Sequence, residues 1–127
     1  MGNKFGDFIS EKRKAKQISL RKMADMLELS PAYWSDIEKG RRNPPNIEKI
    51  KEIAEILGIS NNEVDDLIDM ASYDRDEMPM DFPKYIREDE LVRVALRKAR
   101  KNMDEGKSQV TKKAWEDFIK ALDNKEE

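Results

Sequence analysis

An all-α fold, a bundle of five short helices followed by a two-helix extension, is what this 127-residue sequence predicts. Three observations lead there. Apolar residues recur at i, i+3, i+4 and i+7, the period of a helix with one buried side. Ser19, Ser30, Asn46 and Ser60 stand where helix N-caps are needed, and Gly40, Gly58 and the Pro44–Pro45 pair stand where the runs stop.

Phe5, Phe8, Ile9 and Lys12 share one side of a first helix over residues 4–16, apolar at its start and basic through Lys12, Arg13, Lys14 and Lys16. Ser19 caps a second helix of about two turns, in which Leu20, Met23, Ala24 and Leu27 face inward. Ser30 caps the third, and Pro31 fits its first turn, where no N–H partner is lost. On that helix Trp34 and Ile37 form one face, while Pro31, Ala32, Tyr33 and Asp36 form another. Gly40 stops it, and the prolines of "RRNPP" prevent its continuing.

Asn46 opens the fourth helix, with Ile47, Ile50, Ile53, Ala54 and Leu57 ahead of Gly58. Ser60 and Glu63 make a capping box for a fifth, expected to end near Met70. Residues 72–84, acidic, with Pro79 and Pro83 and no periodicity, read as a linker. Past it, Asp89 or Glu90 opens a helix with Leu91, Val92, Ala95, Leu96 and Ala99 on one face, and a last helix from about Thr111 uses Trp115, Phe118, Ile119 and Leu122. Three segments follow: a domain over 1–71, a linker over 72–84 and a helical extension over 85–127. Two helices of that size rarely stand alone, so the extension is expected to cover its apolar faces against the rest of the chain, itself or a second copy. Trp34 and Trp115, at apolar helical positions, are expected in the core.

Composition narrows the function. With no cysteine and no histidine, the chain lacks a disulfide framework, the usual transition-metal ligands and the usual base near neutral pH. An enzyme is therefore not expected, nor a cofactor or metal; the acids around Asp65–Asp69 and Asp74–Glu77 do not follow a calcium-loop spacing and read as solvated surface. No run suits a signal peptide or a membrane span, which points to the cytoplasm. The net charge of −2 averages unequal parts: residues 1–60 hold 12 basic and 9 acidic residues, residues 61–90 hold 3 and 11, and residues 91–127 hold 10 and 7. A phosphate backbone responds to the face presented to it, so the balance does not exclude nucleic acid. Arg93, Arg97, Arg100 and Lys101 make a basic stripe, read as a solvated face.

From Phe5 to Ala71 the sequence resembles the phage-repressor and Cro-like helix-turn-helix regulators, the XRE family. The resemblance rests on "ISLRKMADMLELSPAYWSDIEKGRRNP" and "IAEILGIS", with Met23, Ala24, Leu27 and Ser30 preceding Ile37-Glu38-x-Gly40. It implies a five-helix, lambda-repressor-like DNA-binding domain whose third helix enters the major groove. By the same resemblance Pro31, Ala32, Tyr33 and Asp36 face base edges, and Arg13 and Glu38 form a structural ion pair. Arg21, Lys22, Lys39, Arg41 and Arg42 flank the two helices and are expected on phosphates, while Asp36 is equally read as pairing with Lys39 or a nearby arginine. The partners implied are double-stranded DNA and a second copy of the chain, reading an inverted repeat as a repressor. An antitoxin or adaptor with weak DNA binding, docking a protein partner on the last helices, is the other function considered. Two positions depart from the family pattern: Leu20 stands where Gln is common, and Glu28 stands at a turn position often held by Gly.

Overall fold

The computed structural model describes residues 3–124, so the outermost residues of the expected segments 1–71 and 85–127 lie outside the described ones. Among the described residues all regular secondary structure is helical, in the order α1 (Lys4–Ala15), α2 (Leu20–Met26), α3 (Pro31–Glu38), α4 (Ile47–Leu57), α5 (Asn61–Arg75), α6 (Phe82–Glu88), α7 (Glu90–Asp104) and α8 (Ser108–Asp123). Two compact units result, the first ending at Pro83 and the second beginning at Lys84.

In the first unit the inward positions of five helices meet. Phe5, Ile9, Met23, Leu27, Trp34, Ile50, Ile53 and Leu67 are completely buried, and Ile37, Leu57 and Ile68 nearly so. Helix α1 packs on α5 and α3, α2 on α3, and α4 on α5. Polar N-caps define where four of these helices begin: the side chains of Ser19, Ser30, Asn46 and Ser60 accept the N–H groups of Lys22, Tyr33, Lys49 and Glu63 at 3.0, 3.1, 2.9 and 3.3 Å. Helix α1 is capped from a distance instead. Asp74 of α5 accepts the N–H of Lys4 at 3.1 Å and of Phe5 at 2.8 Å, satisfying two donors that a helix start leaves unpaired.

The helix ends are equally regular. Gly40 and Gly58 take left-handed conformations after α3 and α4, and so do Gln17, Glu28 and Asp76 after α1, α2 and α5. At Glu28 the chain closes α2 with the paired bonds of a Schellman motif, Leu29 N–H to Ala24 O at 2.9 Å and Glu28 N–H to Asp25 O at 3.0 Å. The turn between α2 and α3 thus keeps its geometry without glycine, against a steric cost of about 1 kcal/mol.

Three expected boundaries move. Helix α5 runs to Arg75 rather than ending near Met70, because Ala71 and Ser72 are buried and Ser72 donates its hydroxyl to Ile68 O at 2.8 Å. Residues 72–84 are therefore not one linker: their first turn belongs to α5, and α6 begins inside them. Helix α8 starts at Ser108 instead of Thr111, one turn earlier.

In the second unit α7 and α8 pack together, with Trp115 and Phe118 edge to face at 6.2 Å. Arg93, expected in a solvated stripe, donates from Nη1 to the carbonyls of Ile86 and Arg87 at 3.0 and 2.6 Å and closes the end of α6. Trp115, expected in a core, is 36% exposed, because a two-helix pair covers only the seam between its members. Leu91, Phe118, Ile119 and Leu122 are all more than half exposed.

On α5, partial desolvation raises the carboxyl of Asp69 above its ordinary value of 3.8, and the charges of Asp66, Asp81 and Asp65 add to the rise. Above its raised native value the ionised Asp69 costs stability; as pH falls toward 3.8 the native state takes up the proton first and that cost disappears. Asp69→Asn is expected to raise the thermal midpoint modestly at pH 7. The advantage should shrink on acidification toward pH 4, as followed by circular dichroism across a pH series.

Candidate nucleic-acid interface

Helix α3 is eight residues long, and its two faces do different things. Trp34 and Ile37 enter the core; the Trp34 Nε1–H is buried and makes no hydrogen bond, so the indole contributes packing volume alone. At the helix end the Glu38 side chain is buried beside Arg13, with exposures of 5% and 9%. Arg13 donates from Nε to Oε2 at 2.7 Å and from Nη2 to Oε1 at 3.0 Å, while its Nη1 reaches Ile18 O at 2.8 Å. Such a two-pronged, charge-assisted pair meets the requirement that a buried charge be matched.

The same helix end is held through its backbone. Asn3 donates from Nδ2 to Glu38 O at 3.1 Å, and Gly6 comes so near that a Cβ there would lie 2.4 Å from that oxygen. Only glycine allows α1 to cross α3 this closely. These contacts set the roll of α3, and with it what the opposite face presents.

That face carries Ala32 and Tyr33, both exposed, with Pro31 and Asp36 half-buried at its edges. Arg21 and Lys22 are exposed in the first turn of α2, the helix that packs on α3. Lys39, Arg41 and Arg42 are exposed at and just past the end of α3. Leu20 packs partly buried against the core, so it adds no polar group to this surface.

Gly40 decides where the two arginines go. With φ at +77° it returns its N–H to Ile37 O at 3.2 Å, and Arg41 N–H reaches back to Asp36 O at 2.9 Å. The Arg41 side chain then lies 3.7 Å from the Asp36 carboxylate, and the Arg42 guanidinium sits over the Tyr33 ring at 4.2 Å. Asp36 thus pairs with Arg41 rather than with Lys39. Sequence reasoning placed both arginines on phosphates; it offered a nearby arginine as a partner for Asp36, which Arg41 supplies, but missed the contact of Arg42 with Tyr33. A glycine at the helix stop followed at once by arginine was the available signal, since that stop folds the next residue back along the helix.

Among the described residues no group of three or more carboxylates is placed to hold a metal ion, and no helix is long and apolar enough to cross a membrane.

The helix-turn-helix domain family matches residues 6–69, from the first helix to within α5. The chain belongs to the helix-turn-helix domain family. A curated relative, the "ImmF control region 10 kDa protein" of Bacillus phage phi105, is 33% identical over 78 residues, which cover 58% of this chain and 86% of the relative. No solved structure matches the chain. This helix-turn-helix protein is a DNA-binding transcriptional regulator, with α2 and α3 as the paired helices. Its second unit lies outside the matched span.

The ion pair under the helix-turn-helix gives a measurable expectation. Glu38→Gln leaves Arg13 buried without a matching charge and should lower the unfolding free energy in urea by about 3–5 kcal/mol. Replacing both, Arg13→Met with Glu38→Leu, should cost markedly less, because no unpaired charge remains buried.

Proposed function

We propose that the protein is a dimeric repressor that reads an inverted-repeat operator by placing α3 in the DNA major groove. The observation that supports this most is the outer face of α3: Ala32 and Tyr33 stand exposed opposite the buried Trp34 and Ile37, beside a set of exposed cations. Ala32 offers a methyl group to a thymine methyl, Tyr33 a hydroxyl to a base or phosphate oxygen, and Asp36 a carboxylate to a cytosine amino group. Pro31 brings the helix start close to the groove. Arg21, Lys22 and Lys39 anchor phosphates on either side, and Arg41 and Arg42 add positive charge near the same end. The control-region relative in a Bacillus phage supports a regulatory role in a bacterial or phage setting, within the cytoplasm.

A binding selection from a random duplex library at moderate salt tests the base reading. An enriched inverted repeat with half-sites roughly 34 Å apart is expected, together with affinity that falls steeply as salt rises. Absence of any enriched sequence would overturn the repressor.

The second unit supports the dimer. Its exposed Leu91, Phe118, Ile119 and Leu122 need a cover, and α7 runs from acidic Asp89 and Glu90 to basic Arg97, Lys98, Arg100 and Lys101. Two such helices laid antiparallel bring the acids of one against the bases of the other, so a second copy is the complementary occupant. Sedimentation equilibrium should give a dimer at micromolar concentration, and Ile119→Glu with Leu122→Glu should give a monomer that retains its helix content. A wild-type monomer throughout would sink the dimer and favour a different protein on this unit.

A further inference from the structure

Arg41 and Arg42 look at first like plain phosphate anchors: they are exposed, cationic and next to the helix that faces DNA. Their geometry says more. The helix stop at Gly40 bonds Arg41 to Asp36 through the backbone at 2.9 Å and brings their side chains to 3.7 Å, so one residue faces the other twice. One residue further on, the Arg42 guanidinium carbon sits 4.2 Å from the centre of the Tyr33 ring, within cation–π range. Two of the exposed or half-exposed side chains on the outer face of α3 are therefore already engaged by the turn that follows it.

Chemistry gives each contact a consequence. A bare carboxylate at position 36 repels the phosphate backbone, but a carboxylate has about four lone-pair sites, so one shared with Arg41 keeps room for a base amino group. Arg41 offsets part of the charge without using up the acceptor. On the other side, a guanidinium held over an aromatic ring by cation–π attraction loses freedom to swing away, and its planar fork of N–H donors is restrained near the helix surface. A restrained, planar fork is the geometry that matches O6 and N7 of guanine, which a flexible cation meets poorly. Lysine lacks both the plane and the fork.

Building on the base reading assigned to α3, we propose that Arg41 and Arg42 determine specificity: α3 and the Gly40–Arg42 turn read DNA as one surface. In it Arg42, held by Tyr33, reads a guanine in each half-site, and Arg41 positions Asp36 and offsets part of its charge. Neither role is that of a phosphate anchor, for which any cation suffices.

The test is the library selection repeated with full-length Arg42→Lys, Arg41→Ala, Asp36→Ala and the Asp36→Ala/Arg41→Ala pair, each first shown to keep wild-type helix content. Arg42→Lys keeps the charge. It should relax the preference at one position per half-site and weaken binding to the selected operator by roughly ten- to a hundred-fold, with non-specific binding and the salt slope unchanged. Arg41→Ala should bind the operator worse than the double variant does, because removing Asp36 as well removes the uncompensated charge. Retention of the wild-type motif at full affinity by Arg42→Lys would overturn the guanine role. Independent, additive losses in the Asp36 and Arg41 set would overturn the positioning role and return Arg41 to a phosphate contact. Should the wild-type chain itself enrich no sequence, the base reading fails and takes this inference with it; a wild-type motif that the variants leave untouched makes the inference alone wrong.

Discussion

The last turn of α3 is where the first unit is tied together, and the orientation of the outer face depends on it. Three groups of α1 and its N-cap residue converge on Glu38: the Arg13 guanidinium on its carboxylate, the Asn3 amide on its carbonyl, and the bare backbone of Gly6 against the same oxygen. A bidentate ion pair fixes direction as well as distance, since two parallel N–H···O bonds tolerate little rotation. With Trp34 one turn earlier and the adjacent Ile37 held in the core, α3 has little freedom to roll. Helix α1 is in turn tied to α5, because the Asp74 carboxylate supplies the cap that the α1 start lacks. The extra turn of α5 is thus part of how α3 is oriented, although the two helices are far apart in sequence.

Charge is distributed to match. The segment over 61–90 holds 11 acids against 3 bases, and much of it is α5, which packs on α1 and α4. The cations at the start of α2 and past the end of α3 belong to the helix pair itself. A net charge of −2 consequently says little about the surface that meets a polyanion. Even Asp36, the acid at the edge of that surface, has Arg41 beside it.

Much of the first unit was legible in the sequence because its signals are local. Ser19, Ser30, Asn46 and Ser60 each cap the helix that their spacing announces, and Gly40 and Gly58 each take the left-handed turn that a stop requires. Glu28 was harder to read: the family pattern has glycine there, yet the paired backbone bonds that close α2 outweigh a modest steric cost and form around glutamate anyway. The overrun of α5 was hidden for a different reason. Its last turn is held by distant partners, the α1 start through Asp74 and the Pro44 carbonyl through Arg75, and no local periodicity records contacts 31 to 70 residues away. Helix α6 was hidden too, since Pro83 and the flanking acids mask a turn whose end is closed by Arg93 from the next helix.

The outer face of α3 shows where reading by position stops and geometry begins. Helical periodicity separates residues 33 and 36 from 34 and 37, so the existence of a second face is plain from spacing alone. Which groups that face contains is not, because two of them are contributed by residues past the helix end. A Schellman stop returns the chain toward the helix it terminates, and whatever side chains follow the glycine become part of that helix's surface. At Gly40 those side chains are two arginines, and they meet the one acid and the one aromatic ring that the outer face exposes. Had the stop been an extended exit, the same arginines would point away along the loop and α3 would present an unmatched carboxylate to DNA. The chemistry of the surface is therefore set as much by the left-handed φ of one glycine as by the side chains of the helix.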